Sequence, residues 1–273
     1  MAEPSAGEPP SASTLLAGTT MLVAGVGPGL GSQICRAAAA AGAAVMMGAR
    51  STDFGTSLAS ELRGDGERAA FRRCDVTSER DCADLVAAAV EEFGGVDSVV
   101  LNAMATGQPA LTLEEGGLDE WQGAFDVNFF GSLRVVKAAI PQLKASSRGS
   151  VIFIGSQIVR RVFPGRGPYA ASKAALLTAA QVLAKELGPA GIRVNTVVPG
   201  RMWGPSLQRA IPRLAAERGH TVDEEVGSWV DATALKRLAT DEECGRAVIF
   251  LASEMGAAIT GQTLDANAGE TMQ

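Results

Sequence analysis

The sequence predicts an α/β fold: a single domain on a doubly wound parallel sheet of about seven strands, with helices on both faces. Three observations predict it. Short apolar runs alternate with longer helix-periodic stretches from residue 20 onward. The runs are apolar throughout rather than at every second position, which is the mark of strands covered on both faces. A glycine-rich turn joins the first run directly to the first helical stretch.

Taken in order, residues 20–25 (TMLVAG) read as a buried strand, and the Ala-rich residues 31–41 as a helix that Gly42 ends. Residues 43–49 (AAVMMGA) form the second strand, 58–63 a short helix and 69–74 the third strand. Residues 78–93 carry Leu85, Val86, Ala89, Val90 and Phe93 at helical spacing. The fourth strand is 96–102 (VDSVVLN), followed by one long helix over 121–143 and the fifth strand at 150–155 (SVIFIG). A helix at 168–187, a strand at 192–198, a helix at 241–253 and a short strand at 262–266 complete the order. The stretch 201–229 is read as a long connection of the kind that forms a lid. There is no internal repeat and no linker that separates two domains.

Composition narrows the function classes. The 273 residues are 47% hydrophobic and 20% charged, which excludes disorder over most of the chain. A net charge of −6 with few aromatics disfavours nucleic acid, because binding it needs a basic face and stacking platforms. Cys35, Cys74, Cys82 and Cys244 form no C-x-x-C pair, and His220 is the only histidine, so no tetrahedral metal site is expected. The cysteines read as thiols of a reducing compartment. No apolar run is long enough to span a membrane. Residues 1–14 are Pro-rich and lack a basic start, so they read as a disordered leader rather than a secretory signal. The folded domain is expected over 15–273, in the cytoplasm.

The turn after the first strand is Gly25-Val26-Gly27-Pro28-Gly29-Leu30-Gly31. Glycines there let backbone approach a pyrophosphate, and the following helix offers unpaired N–H groups and the positive end of its dipole. Between the first strand and first helix of an α/β chain this is a strong dinucleotide signal of Rossmann type. No Gly-Lys-Ser/Thr follows, which disfavours an ATP-binding loop.

Tyr169, the only tyrosine, stands in PYAASKAAL with Lys173 one helical turn on, so both side chains share a face. An ammonium there favours the tyrosinate; bringing a phenol from about 10 toward neutrality requires about 3–4 kcal/mol of differential stabilisation. Taken alone, such a pair reads first as a packing aromatic beside a solvated lysine. Ser156 ends the fifth strand, where active residues of doubly wound sheets gather.

Together these residues resemble the short-chain dehydrogenase/reductase family. The glycine spacing G-x-x-x-G-x-G, the Ser156, Tyr169 and Lys173 signature, Asn128 in DVNFFG, Asn102-Ala103, Asp75-Val76 and Pro199-Gly200 occur in the family's order over roughly residues 20–269. The resemblance implies an oxidoreductase that interconverts a ketone and a secondary alcohol. It makes Tyr169 the proton donor and acceptor, Lys173 the group that lowers its pKa and holds the nicotinamide ribose, and Ser156 the partner of the reacting oxygen. Asn128 is implied to hold a relay water. Cofactor contacts are implied at Gly25, Gly27, Gly29, Leu30, Gly31, Asp75, Val76, Asn102, Ala103, Tyr169, Lys173, Pro199, Gly200 and Met202, with no metal.

Two positions depart from the family pattern. Met104 stands where Gly is usual, and Gly204 stands where Thr commonly meets the carboxamide, with Ser206 or the Met202 backbone as substitutes. Both leave the substrate's shape open. Trp203, Leu207, Ile211, Leu214, His220 and Trp229 in the 201–229 stretch either meet an apolar substrate or pack the lid onto the body. Arg160, Arg161 and Arg166 either meet the phosphates of a 3-oxoacyl thioester or lie solvated, and free cyclic or aromatic ketones are the competing substrates.

NADP is expected over NAD. The second strand ends without an acidic residue, and Arg50 and Ser51 follow to meet a 2′-phosphate. Against this, Pro28 replaces a second basic residue, and Asp53 reaches the ribose if the strand ends later. The helices over 121–143 and 168–187 are apolar on more than one face, which predicts a homotetramer or homodimer. The rival reading, from another class, is a catalytically silent nucleotide-binding regulator on the same fold. Such a protein is expected to lack the Tyr or the Lys.

Overall fold

In the computed structural model, residues 14–105 and 110–272 are described. Residues 1–13, almost all of the expected leader, fall outside that range, as do residues 106–109 of the loop after the fourth strand. A seven-stranded sheet runs through the molecule, every pair in it parallel. Its strands are β1 (Thr20–Ala24), β2 (Ala44–Ala49), β3 (Ala69–Arg73), β4 (Ser98–Leu101), β5 (Ser150–Ile154), β6 (Arg193–Pro199) and, last in the chain, β9 (Thr263–Ala266). Their order is β3-β2-β1-β4-β5-β6-β9. The winding reverses between β1 and β4, and such a switch point opens a crevice beyond the strands' carboxyl ends.

Each strand sends alternate residues to opposite cores. Met21, Val23, Val45, Met47, Ile152 and Val197 pack beneath α1 (Leu30–Ala40) and α9 (Asp241–Ala252). Leu22, Met46, Val99, Leu101, Val151 and Phe153 pack beneath α3 (Glu79–Phe93), α5 (Gly131–Ala145) and α6 (Gly167–Leu187). Both faces are thus covered, which explains why the strands lack polar alternation. Small residues let α1 and α9 approach: a β-carbon at Gly245 would lie 3.3 Å from backbone of Gln33.

Three expectations need correction. The helix expected at 58–63 is α2 (Thr52–Gly64), which starts earlier because Ser51 is its N-cap in an extended conformation and Asp53 favours the first turn. The single helix expected over 121–143 is α4 (Leu118–Phe125), a π-turn (Asp126–Phe130) and α5. The connection 201–229 is not irregular. It holds α7 (Pro205–Arg218) and α8 (Val222–Asp231), started by a proline and by a Thr221–Glu224 capping box. Ile211, Trp229 and Leu238 form a small core there, with Leu207, Leu214 and Val226 around it. Most apolar residues of that stretch therefore pack it onto itself. A short sheet, β7 (Met202–Trp203) with β8 (Ala239–Thr240), ties it to α9.

Candidate active site

The strands' carboxyl ends open into a cavity of about 930 Å³. The glycine loop forms one wall. At Gly25, with φ +101°, a β-carbon would lie 2.2 Å from the Ala103 nitrogen, and at Gly31 one would lie 2.6 Å from the Gly25 carbonyl oxygen. Both positions exclude a side chain: Gly25 lets Asn102 and Ala103 pass, and Gly31 lets the loop close on the Gly25 carbonyl. Gly27 has nothing within 4 Å of its β-carbon position. Asn102 fastens the arrangement, donating from Nδ2 to the Gly25 carbonyl at 2.5 Å. The N-terminus of α1 follows at Gly29, with no side chain capping it.

Gly25, Gly27, Gly29, Leu30 and Gly31 line this cavity together with Arg50 and Ser51 after β2 and Asp75 and Val76 after β3. From the far side come Asn102 and Ala103, Ser156, Tyr169 and Lys173, and Pro199, Gly200 and Met202. Asp75 accepts from the Thr77 amide at 3.0 Å and the Thr77 hydroxyl at 2.8 Å. Those bonds, with a smaller contribution from Arg50, hold its carboxyl below the ordinary value. Strand β2 ends at Ala49 as read, which leaves Asp53 in the first turn of α2.

Asn128 is placed differently. It sits wholly buried in the π-turn, behind the cavity wall that Val127 lines. Its Oδ1 accepts from the Ala105 amide at 2.7 Å, and its Nδ2 donates to Ser172 Oγ at 2.9 Å. Ser172 in turn donates to the Tyr169 carbonyl at 2.9 Å. The side chain has both its functional ends engaged, so its geometry is that of a positioning residue on the helix that carries Tyr169.

Tyr169 and Ser156 line the cavity together, and burial holds the Tyr169 phenol above the ordinary value. Ser156 and then Arg166 act in the lowering direction. Lys173 follows one turn along α6. It is 2% exposed and donates to the Ile154 carbonyl at 2.7 Å. Burial lowers its own pKa to about 8. The ammonium thus sits on the carbonyl at the end of β5, at the wall of the same cavity as Tyr169.

Arg209 and Asp241 also line the cavity, and neither was singled out from the sequence. Asp241 follows the Thr240 cap of α9 and so reads as an ordinary first-turn acid. Only the approach of Gly204 and Gly29 in space shows otherwise. Among the proposed substrate contacts, Arg160 lies 3.7 Å from Asp265 and Arg161 stacks over Phe163. Trp203 is 41% exposed and is not among the residues that line the cavity. His220 Nδ1 lies 2.8 Å from the buried Glu225.

A family model described as enoyl-(acyl carrier protein) reductase matches residues 25–271. L-fucose dehydrogenase of Oryctolagus cuniculus is 36% identical over 239 residues, 87% of this chain and 80% of that protein. The chain belongs to the short-chain dehydrogenase/reductase family. Within that family, the 2,5-dichloro-2,5-cyclohexadiene-1,4-diol dehydrogenase of Sphingobium indicum is 30% identical over 258 residues, 94% of this chain and 98% of that one. The solved short-chain dehydrogenase/reductase (glucose/ribitol dehydrogenase) of Brucella melitensis superposes with a TM-score of 0.85 at 27% identity, covering 96% of this chain and all of that one. The chain is thus an oxidoreductase of a family that uses nicotinamide dinucleotides. Among the described residues, no helix is long and apolar enough to cross a membrane, and no His, Cys, Asp and Glu group forms a metal site.

Proposed function

We propose that this short-chain dehydrogenase/reductase interconverts a ketone and a secondary alcohol with NADP, Tyr169 exchanging the proton on the substrate oxygen. The observation that carries the reading is that Ser156, Tyr169 and Lys173 meet in one cavity lined by the glycine loop. When bound, the cofactor supplies or accepts the hydride. The residues fit it: the close-packed Gly25 and Gly31 shape the turn, Gly27 leaves space above the loop, and α1 presents an uncapped N-terminus to a diphosphate.

Tyr169 starts protonated, held so by burial, and therefore serves reduction as a general acid. Ser156 steadies the reacting oxygen and hands hydrogen-bond support to the phenolate as it forms. Lys173, with a pKa of about 8, is ionised at neutral pH and stabilises that phenolate after turning from Ile154. Asn128 fixes the Tyr169 helix through Ser172.

NADP is favoured over NAD because exposed Arg50 follows β2 directly, on the cavity wall, with the Ser51 hydroxyl beside it and making no cap hydrogen bond. A fixed guanidinium fork suits a 2′-phosphate. A free cyclic ketone or its ring alcohol is favoured over a 3-oxoacyl thioester. Arg160 lies against Asp265 and Arg161 against Phe163, and one relative is named for a cyclohexadiene diol. Absorbance at the reduced-nicotinamide band, with both cofactors against cyclic ketones, their alcohols and a thioester, tests the assignment. Turnover of the thioester alone, or of none of them, contradicts it.

The protein works as a homodimer or homotetramer. Phe130 is 50% exposed at the end of the π-turn and Val182 is 49% exposed on α6, and β9 is an edge strand. Light scattering at micromolar concentration is expected to exceed the 28.0 kDa of one chain.

A further inference from the structure

Asp241 is the first residue of α9, and its surroundings differ from those of the acids beside it. Glu243 pairs with Arg237 and closes the capping box, and Glu242 pairs with Arg246. Asp241 turns inward. It is 7% exposed, it lines the cofactor cavity, and its Oδ2 makes no hydrogen bond among the described residues. A buried, unpartnered carboxyl oxygen is costly, so something the protein binds is expected to complete it.

The neighbours say what that partner is. A β-carbon at Gly204 would lie 1.9 Å from Asp241 Oδ2, and one at Gly29 would lie 3.7 Å away. Gly204 has φ −153° and ψ 174°, extended backbone that any residue adopts. The glycine is thus needed for space, and the carboxyl fills the volume a side chain at 204 would occupy. Gly29 caps α1 and Gly204 caps α7, neither with a side-chain hydrogen bond. The carboxyl oxygen lies between two uncapped helix N-termini on the diphosphate side of the cavity. Such a place attracts an anion, and two anions side by side there repel.

We propose that Asp241 contacts the dinucleotide as a neutral acid, donating from its carboxyl to the diphosphate, so that cofactor binding takes up one proton. The inference rests on the dinucleotide reading above. Burial raises the Asp241 pKa, in the direction the proposal needs. The groups facing it are few: Arg209 of α7 at the cavity, Cys244 one turn along α9, and the mutually paired Arg237 and Glu243. The glycine loop and the first turn of α1 (residues 25–33) present no ionisable side chain.

Calorimetric titration with NADP+ and with ADP-ribose, between pH 6.5 and 9 in buffers of different ionisation enthalpy, tests it. The native protein is expected to take up a proton with both ligands. Affinity then falls about tenfold per pH unit above the carboxyl's pKa. Asp241→Asn, which keeps a donor, should remove that uptake and leave only the slope set by Lys173. The double variant Asp241→Ala with Gly204→Thr puts a hydroxyl donor into the same space and should behave likewise. Binding without proton uptake, an Asp241→Asn slope equal to the native one, or uptake seen with NADP+ but not with ADP-ribose overturns the proposal alone. Failure of both ligands to bind overturns the dinucleotide reading and this inference with it.

Discussion

Asn128 Nδ2 donates to Ser172 Oγ at 2.9 Å, and through Ser172 it holds the carbonyl of Tyr169. The π-turn is what aims the amide there, since a regular helix over the same residues directs side chains differently. Asn128→Ala removes the brace and leaves the Ala105 amide and the Ser172 hydroxyl short of a buried partner. The expected outcome is a fall in kcat of about 10- to 100-fold, the size that small misplacements of a reacting group produce. Cofactor affinity should move by less than about threefold, because Asn128 lies behind the cavity wall. A variant that loses affinity and keeps kcat would contradict the positioning role.

The glycine loop offers a paired test. Gly25→Ala must place a β-carbon 2.2 Å from the Ala103 nitrogen at φ +101°, so it is expected to destabilise the fold by at least about 3 kcal/mol. Gly27→Ala meets nothing within 4 Å. It should keep a native melting temperature while weakening dinucleotide binding about tenfold or more, because the new methyl occupies space above the loop. Thermal melts with and without cofactor separate the two outcomes.

Lys173 carries a cost in the free protein. Its pKa is about 8 folded against an ordinary 10.5, and the side chain is 2% exposed. Below pH 8 both native and unfolded chains hold the proton, and the full penalty, on the order of 3 kcal/mol, is present. Between pH 8 and 10.5 the native lysine gives up its proton while the unfolded one keeps it, so this residue makes stability rise with pH there. Lys173→Met should raise the stability of the free protein at pH 7, flatten that rise, and abolish turnover. Denaturant melts across the pH range check the sign.

The proposed preference for NADP rests on Arg50. Replacing it by Asp removes a guanidinium–phosphate contact of about 1.5–3 kcal/mol and adds repulsion. The ratio of kcat/KM for NADP over NAD should fall by about 10- to 100-fold. A native protein that prefers NAD, or a ratio left unmoved by Arg50→Asp, contradicts the assignment.

The strands were legible because burial on both faces makes them apolar without interruption, and the end of β2 at Ala49 fixed the place of Arg50. The glycine loop, Ser156, Tyr169 and Lys173 were legible because each follows a strand end or shares a helix face. Other features depend on partners distant in sequence. The π-turn breaks a stretch whose local pattern is helical throughout. Helices α7 and α8 had start signals in Pro205 and the Thr221–Glu224 box, yet their apolar residues pack only on one another. The Lys173–Ile154 bond and the Asp241–Gly204 contact join residues whose spacing says nothing of their approach.

The central claim is that Tyr169 moves the proton while the dinucleotide moves the hydride, and Tyr169→Phe tests it most directly. The ring is kept and only the phenol hydroxyl, beside Ser156 in the cavity, is lost. Single-turnover reduction of a cyclic ketone by bound NADPH should slow by at least about 100-fold, the contribution of a positioned acid, with the NADPH dissociation constant within about twofold of native. A variant that binds NADPH normally and turns over at near-native rate would contradict the account.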